Sequence, residues 1–223
     1  VFDDRGQSLG SMSGRGVGLG DLDGDGDLDA FVTNLGEPNK VWLNDGLAQF
    51  SDSGQSLGSK SSFDVALGDL DGLDGLDAVF ANQGDRNRVC LDDGSGAFVC
   101  GDLSPEANPS RGVALADVDG NGSTDIIIAN NPQPNRVCVN GGSGSFSCTD
   151  IESETNETVG VAAGDLDGIN GPDLVFANHG QENRVCFNDG AGVLTCGDIS
   201  SDTNLSMEVA VADLDGAGGL DAV

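Results

Sequence analysis

Residues 21–34 read DLDGDGDLDAFVTN: five aspartates on alternate positions, then a short apolar run. Five carboxylates this close repel one another strongly unless a hard cation sits among them. The D-x-D-x-D-G spacing also begins an EF-hand calcium loop, but that loop needs a bidentate acid at position 12, and here position 12 is Val32. The run AFVTN is apolar and β-branched, so the chain leaves the acidic loop as a buried strand, not a helix.

Self-comparison shows the acidic loop starting again at Asp69, Asp117, Asp165 and Asp213, always 48 residues on. The same period carries Val17, Val65, Val113, Val161 and Val209 before the loops, and Asn34, Asn82, Asn130 and Asn178 after the following strand. It also carries Asn39, Asn87, Asn135 and Asn183, then Phe2, Phe50, Phe98 and Phe146, with Leu194 in the fifth copy. The whole chain is one domain of repeats over approximately 2–49, 50–97, 98–145, 146–193 and a truncated 194–223.

Each unit holds four strand-like segments, in the first copy GVGLGD, DAFVTN, NKVWLND and a run from Phe50. A repeat of this length with four short strands predicts an all-β fold, a β-propeller of four-stranded blades with about five blades covered. The second segments DAVFAN, DIIIAN and DLVFAN are apolar on both faces, as a strand sandwiched between neighbouring blades requires.

Composition agrees. The chain has 223 residues with 36 glycines, no tyrosine and a formal charge of −29. That charge disfavours binding to nucleic acid or an anionic membrane, so no nucleic-acid partner is expected, and it favours cations. No apolar run approaches the roughly 18 residues of a membrane span, so no direct membrane insertion is expected.

The pattern V-A-x-G-D-L-D-G-D-G-x-x-D, an apolar strand ending in Asn, then N-R-V-x-L-N-D-G-x-G-x-F, resembles the FG-GAP/VCBS repeat of integrin-like, calcium-binding β-propellers over essentially the whole chain. The resemblance implies that each acidic loop joins the innermost strand to the second strand of a blade and binds calcium. The implied ligands are side chains at loop positions 1, 3, 5 and 9 and a backbone carbonyl at position 7. In the first loop these are Asp21, Asp23, Asp25 and Asp29, with the carbonyl of Asp27. In the third they are Asp117, Asp119, Asn121 and Asp125, with the carbonyl of Ser123.

The second loop keeps Asp69, Asp71 and Asp77, and the fourth keeps Asp165, Asp167 and Asp173, but Leu73 and Ile169 replace the position-5 oxygen. That weakens both sites unless Asp74 or Asn170 swings in as a substitute. The fifth loop keeps Asp213, Asp215 and Asp221, with Ala217 at position 5. The expected affinity order is first and third, then second and fourth, then fifth.

Six cysteines form three couples, Cys90 and Cys100, Cys138 and Cys148, Cys186 and Cys196, each ten residues apart. A turn centred on Ser95 sets Val99 opposite Leu91 and Cys100 opposite Cys90, so each couple is expected to bridge the third and fourth strands as a disulfide. Trp42 and Asp52 take these places in the first unit. Zinc is disfavoured, since no C-x-x-C is present. Disulfides imply an oxidising location: secreted and extracellular, cell-surface or periplasmic. Asn156 and Asn204 stand in sequons in polar connections and are candidate glycosylation sites.

No nucleophile or base breaks the repeat, and His179 is read as loop filler, so no enzyme and no catalytic residues are expected. Arg88, Arg136, Arg184 and Lys40 recur beside the periodic Asn and are expected to pair with carboxylates of a neighbouring blade. The expected function is a structural, protein-interaction or adhesion module rigidified by calcium, with a protein partner or self-association. One alternative is a lectin that binds glycans, disfavoured by a single tryptophan and no tyrosine. Another is a subunit of a surface filament or oligomer: the sequence starts on a fourth-strand segment and stops inside a second strand, and open edges invite pairing.

Overall fold

In a computed structural model, which describes residues 6–169, 171–216 and 218–223, the described chain is all β with no helix. Four sheets of four antiparallel strands follow one another, each in chain order from first to fourth strand, and a two-stranded sheet ends the chain. The first sheet comprises β1 (Gly14–Gly20), β2 (Asp29–Asn34), β3 (Lys40–Asn44) and β4 (Phe50–Asp52). The second comprises β5 (Ser62–Gly68), β6 (Asp77–Asn82), β7 (Arg88–Leu91) and β8 (Val99–Asp102). The third comprises β9 (Ser110–Ala116), β10 (Asp125–Asn130), β11 (Arg136–Asn140) and β12 (Phe146–Asp150). The fourth comprises β13 (Thr158–Gly164), β14 (Asp173–Asn178), β15 (Arg184–Asn188) and β16 (Leu194–Asp198), and β17 (Val211–Ala212) pairs with β18 (Asp221–Ala222). The sheets are out of phase with sequence windows that begin on Phe: each starts at its valine-bearing strand and closes on a fourth strand that begins at Phe50, just after Phe98, at Phe146 or at Leu194.

The first strands β1, β5, β9 and β13 lie side by side, so the sheets stack face to face like blades. Alternation along the second strand explains why it is apolar throughout. In β6, Ala78 and Phe80 face the first sheet, packing with Leu22, Phe31 and Val41, whereas Val79 and Ala81 face the third with Ile126 and Ile128. Strands β6, β10 and β14 are buried at all six positions. Phe31 adds an edge-on contact with Phe98 at 5.7 Å. The core is therefore a series of inter-sheet layers, each made by two neighbours.

Polar stitches run through the same interfaces. Asn87 Oδ1 accepts from Asn82 N at 2.8 Å, and Asn87 Nδ2 donates across the interface to Ser110 Oγ at 2.9 Å. Ser110 Oγ in turn donates to Asn130 Oδ1 at 2.6 Å. Asn39–Ser62–Asn82 and Asn135–Thr158–Asn178 repeat the relay, and Asn183 donates to Ser206. The periodic asparagines of the sequence are thus two halves of one device: one closes its own sheet, and the other reads a hydroxyl on the next.

The three disulfides form as the spacing predicts, with Cys90 directly opposite Cys100, Cys138 opposite Cys148, and Cys186 opposite Cys196. Trp42 pairs with Asp52 at the equivalent place. Cys90, Cys138 and Cys186 are buried within the inter-sheet layers, so each bridge also fills core.

The periodic cations take a nearer partner than the sequence suggested. Lys40 pairs with Asp52, Arg88 with Asp102, Arg136 with Asp150 and Arg184 with Asp198, each on the fourth strand of the same sheet. Arg136 and Arg184 also reach Glu106 and Glu152 in the connection entering their sheet. The third and fourth strands are adjacent, so the carboxylate across the hairpin lies within reach before any on the neighbouring sheet.

Ser110→Ala should lower stability by about 1–3 kcal/mol by leaving two buried amides without their shared hydroxyl, while Ser110→Thr should be close to neutral; urea denaturation midpoints of the two variants decide this. Replacing Cys138 and Cys148 together by serine should cost about 2–3 kcal/mol, the loop-closure entropy of a bridge this short. Equal melting temperatures with and without reductant would contradict a stabilising role for the bridges.

Candidate metal centres

Each acidic loop connects the first strand of a sheet to the second, as the resemblance implied. Its last aspartate begins the second strand and is buried: Asp29, Asp77, Asp125 and Asp173 are all at most 1% exposed. That burial is compensated by backbone donors. Asp29 Oδ2 accepts from Leu22 N at 2.8 Å and its Oδ1 from Asn44 N at 2.7 Å, tying the loop to both the second and third strands. Asp77, Asp125 and Asp173 repeat both bonds, and Asp221 repeats the first with Leu214 N.

Positions 1 and 3 are brought onto this buried carboxylate. In each of four loops, carboxylate oxygens of three aspartates lie within 4.8 Å of one another: Asp21, Asp23 and Asp29; Asp69, Asp71 and Asp77; Asp117, Asp119 and Asp125; Asp165, Asp167 and Asp173. Tight turning makes this possible. Gly24 and Gly26 have φ of 77° and 95°, and Gly75 and Gly171, where glycine has moved to position 7, have φ of 118° and 106°. Both loop types therefore close on the same trio although their glycines differ.

The side chains at positions 5 and 6 behave differently. The Asp25 carboxylate accepts from Asp27 N at 2.9 Å. The Asn121 carbonyl accepts from Ser123 N at 2.7 Å, while its amide donates to Asn140 O. Asp74 packs against Gly94 in the turn between β7 and β8. Asn170 lies outside the described residues. The fifth loop is held as the others are at Asp213, which accepts from Gly216 N at 2.7 Å.

Charge accounts for what these trios lack. Among the described residues no ion pair reaches a carboxylate of the first four loops; every cation that is paired meets an acid elsewhere. Burial, opposed by backbone hydrogen bonds and reinforced by nearby acidic-loop carboxylates, pushes the carboxyls of Asp77 and Asp125 up. Burial does the same to Asp23, with Asp29, Asp25 and Asp21 adding repulsion. An all-oxygen donor set with no internal counter-charge is what a hard divalent cation requires. A further group, Glu152 with Cys186 and Cys196, is no such site, because its sulfurs are joined in a disulfide.

Neighbouring elements clamp the loops. Asn140 Nδ2 donates to Leu70 O at 2.7 Å, and Asn188 Nδ2 to Val118 O at 2.8 Å, so the third strand of one sheet holds the loop of the sheet before it. Clefts between successive loops are lined by aspartate, glycine, other small residues and the aliphatic Leu22, Leu70, Leu76 and Val118, with no aromatic ring among the described residues. His179 bridges to Leu205, and its Nδ1 lies 3.6 Å from Glu157, away from every acidic loop.

One group of residues gave no signal in the repeat pattern: Arg15, Phe63, Arg111, Val159 and Met207, which share a repeat position but no chemistry and line one pocket. The signal available was that divergence itself, a position where register holds and identity does not.

Comparison with known proteins agrees with the repeat. The model of the FG-GAP-like repeat matches residues 21–72 and 117–168, two windows that each open on an acidic loop. No curated protein is significantly similar in sequence. Among solved structures, the crystal structure of BBS1N in complex with ARL6DN, soaked with lead, is similar over 87% of this chain at 13% identity, with a TM-score of 0.56. A Bacillus licheniformis rhamnogalacturonan lyase, PL11, aligns with 95% of the chain at 14% identity and a TM-score of 0.48. The chain spans 58% of the length of each. At such identity the first likeness speaks for fold alone; the two matched windows, set in a 48-residue period, show that this chain carries FG-GAP-like repeats.

Proposed function

We propose that the chain is a calcium-stabilised β-propeller module of the extracellular space, cell surface or periplasm, whose role is structural or protein-binding rather than catalytic. The observation that carries this reading is the fourfold convergence of three carboxylates within 4.8 Å, without an internal counter-charge. Calcium fits the donor set: aspartate oxygens fixed by backbone bonds, with loop carbonyls beside them. The complete first and third loops, through Asp21 and Asp117, bind more tightly than the second and fourth. In an oxidising compartment the three disulfides persist, and extracellular calcium is abundant enough to fill weak sites.

Centres repeated at one spacing support architecture over chemistry, since catalysis needs a feature that the repeat does not copy. A module of this kind presents its loops and outer faces to a partner protein; BBS1N, with a similar fold, is seen in a complex with ARL6DN. Among the described residues the inter-loop clefts hold no aromatic ring, which weighs against a lectin. Asn156 and Asn204 stand in connections between sheets, where a glycan would disturb no strand.

Chelation should lower the melting temperature by many degrees and calcium should restore it; a melting curve indifferent to chelator would refute the reading. Asp119→Asn should act with opposite sign in the two states, relieving repulsion in the metal-free protein while removing one bound calcium from a calorimetric titration. Loss of stability in the metal-free state with unchanged calcium stoichiometry would show that Asp119 serves the fold and not the ion.

A further inference from the structure

At the end of the first strands away from the acidic loops, the sheets surround a second feature that the repeat does not copy. Each first strand carries a bulge at the same place. One extra residue enters between Gly14 and Val17, and likewise at Phe63, Arg111 and Val159, where the pairing with the second strand shifts. A bulge re-aims the side chain it carries. Here Arg15, Phe63, Arg111, Val159 and the equivalent Met207 line a pocket of about 540 Å³, together with Gly16, Asp64 and Glu208 of the next position. That volume is within the range of small-molecule sites.

The backbone is close-set at this level. A Cβ on Gly16 would stand 2.9 Å from Asp64 Cα, and one on Gly160 would stand 3.1 Å from Glu208 Cα, so glycine is needed where the sheets converge. Asp64 and Glu208 occupy that same repeat position. Asp64 accepts from Val65 N and from Val113 N on the next sheet. Burial pushes both carboxyls up, with Asp64 adding repulsion on Glu208.

The arginines are the anomaly. The chain has 38 acids against nine Lys and Arg. Among the described residues, Lys40, Lys60, Arg86, Arg88, Arg136 and Arg184 all pair with carboxylates, whereas Arg15 and Arg111 do not. Instead both lie over Phe63, at 5.6 and 5.1 Å from its centroid. Nε of Arg111 is buried with no hydrogen-bond partner, as are those of Arg88 and Arg136, but the latter two guanidinium groups meet carboxylates and that of Arg111 does not. In so acidic a protein, two guanidinium groups without carboxylates, gathered in one pocket, point to a ligand that supplies one.

We propose that this pocket binds a free apolar α-amino acid, its carboxylate taken by Arg15 and Arg111, its ammonium by Asp64 and Glu208, and its side chain laid against Phe63 and Val159. A simple anion would satisfy the guanidinium forks but meet repulsion from the two acids, and a simple amine the reverse; a zwitterion meets both demands. The site stands at the opposite end of the strands from the metal loops and does not depend on what they hold.

Titration calorimetry of the full calcium-loaded chain with L-leucine and L-phenylalanine tests this, alongside 4-methylpentanoate and 3-methylbutylamine, which keep only one charge each. At least one amino acid should bind, and each single-charge analogue should bind at least tenfold more weakly. Arg111→Gln and Glu208→Gln should each weaken binding about tenfold or more, and Arg86→Gln, at a surface pair, should leave it unchanged. Arg15→Gln, at an exposed position, covers the case in which Arg111→Gln fails to fold. Absence of binding by both amino acids at millimolar concentration, or equal binding of 4-methylpentanoate, would overturn the proposal.

Discussion

The structure turns on a buried carboxylate at the start of every second strand. Asp29, Asp77, Asp125 and Asp173 are removed from water, a placement that costs several kcal/mol for a lone charge. Two backbone N–H groups answer part of that cost in each case, one from the acidic loop and one from the third strand. The same bonds set the loop's path and the sheet's hairpin together. What the donors leave unmet is the repulsion of the two aspartates drawn in beside each, which a hard cation seated among the three would answer. Fold and metal reading therefore rest on one group.

Between sheets a different constraint operates. A four-stranded sheet of this size cannot bury both faces alone, so neighbouring sheets must supply the cover. The second strand serves both neighbours through strict alternation, and the disulfides of the second, third and fourth sheets each fill the layer on one side. Apolar packing does not choose a rotation between two such faces. The asparagine–hydroxyl relay does, because a hydrogen bond between buried groups tolerates little misalignment.

Much of this was legible in the residues. The period of 48 places every acidic loop, and a ten-residue spacing across a tight turn leaves cysteines no easier partner than each other. The convergence of positions 1, 3 and 9 was legible too, but the placement of the side chains at positions 5 and 6 was not: whether Asp25 or Asp74 turns inward depends on competing local contacts that spacing does not reveal. The cation partners were missed for a similar reason. Sequence places Arg136 beside Asn135 but does not say that Asp150 stands across the hairpin and Glu106 on the entering connection.

By itself the sequence determined what repeats: strand order, loop chemistry, disulfide pairing and the all-β class, because each follows from local spacing and the two-residue period of a strand. Only the tertiary structure decided what happens where repeats meet. Arg15, Phe63 and Arg111 stand 48 residues apart and look unrelated in a line, yet a bulge in each first strand turns them into one pocket. Convergence of that kind depends on how sheets are rotated about one another, a property of packing that no single repeat contains.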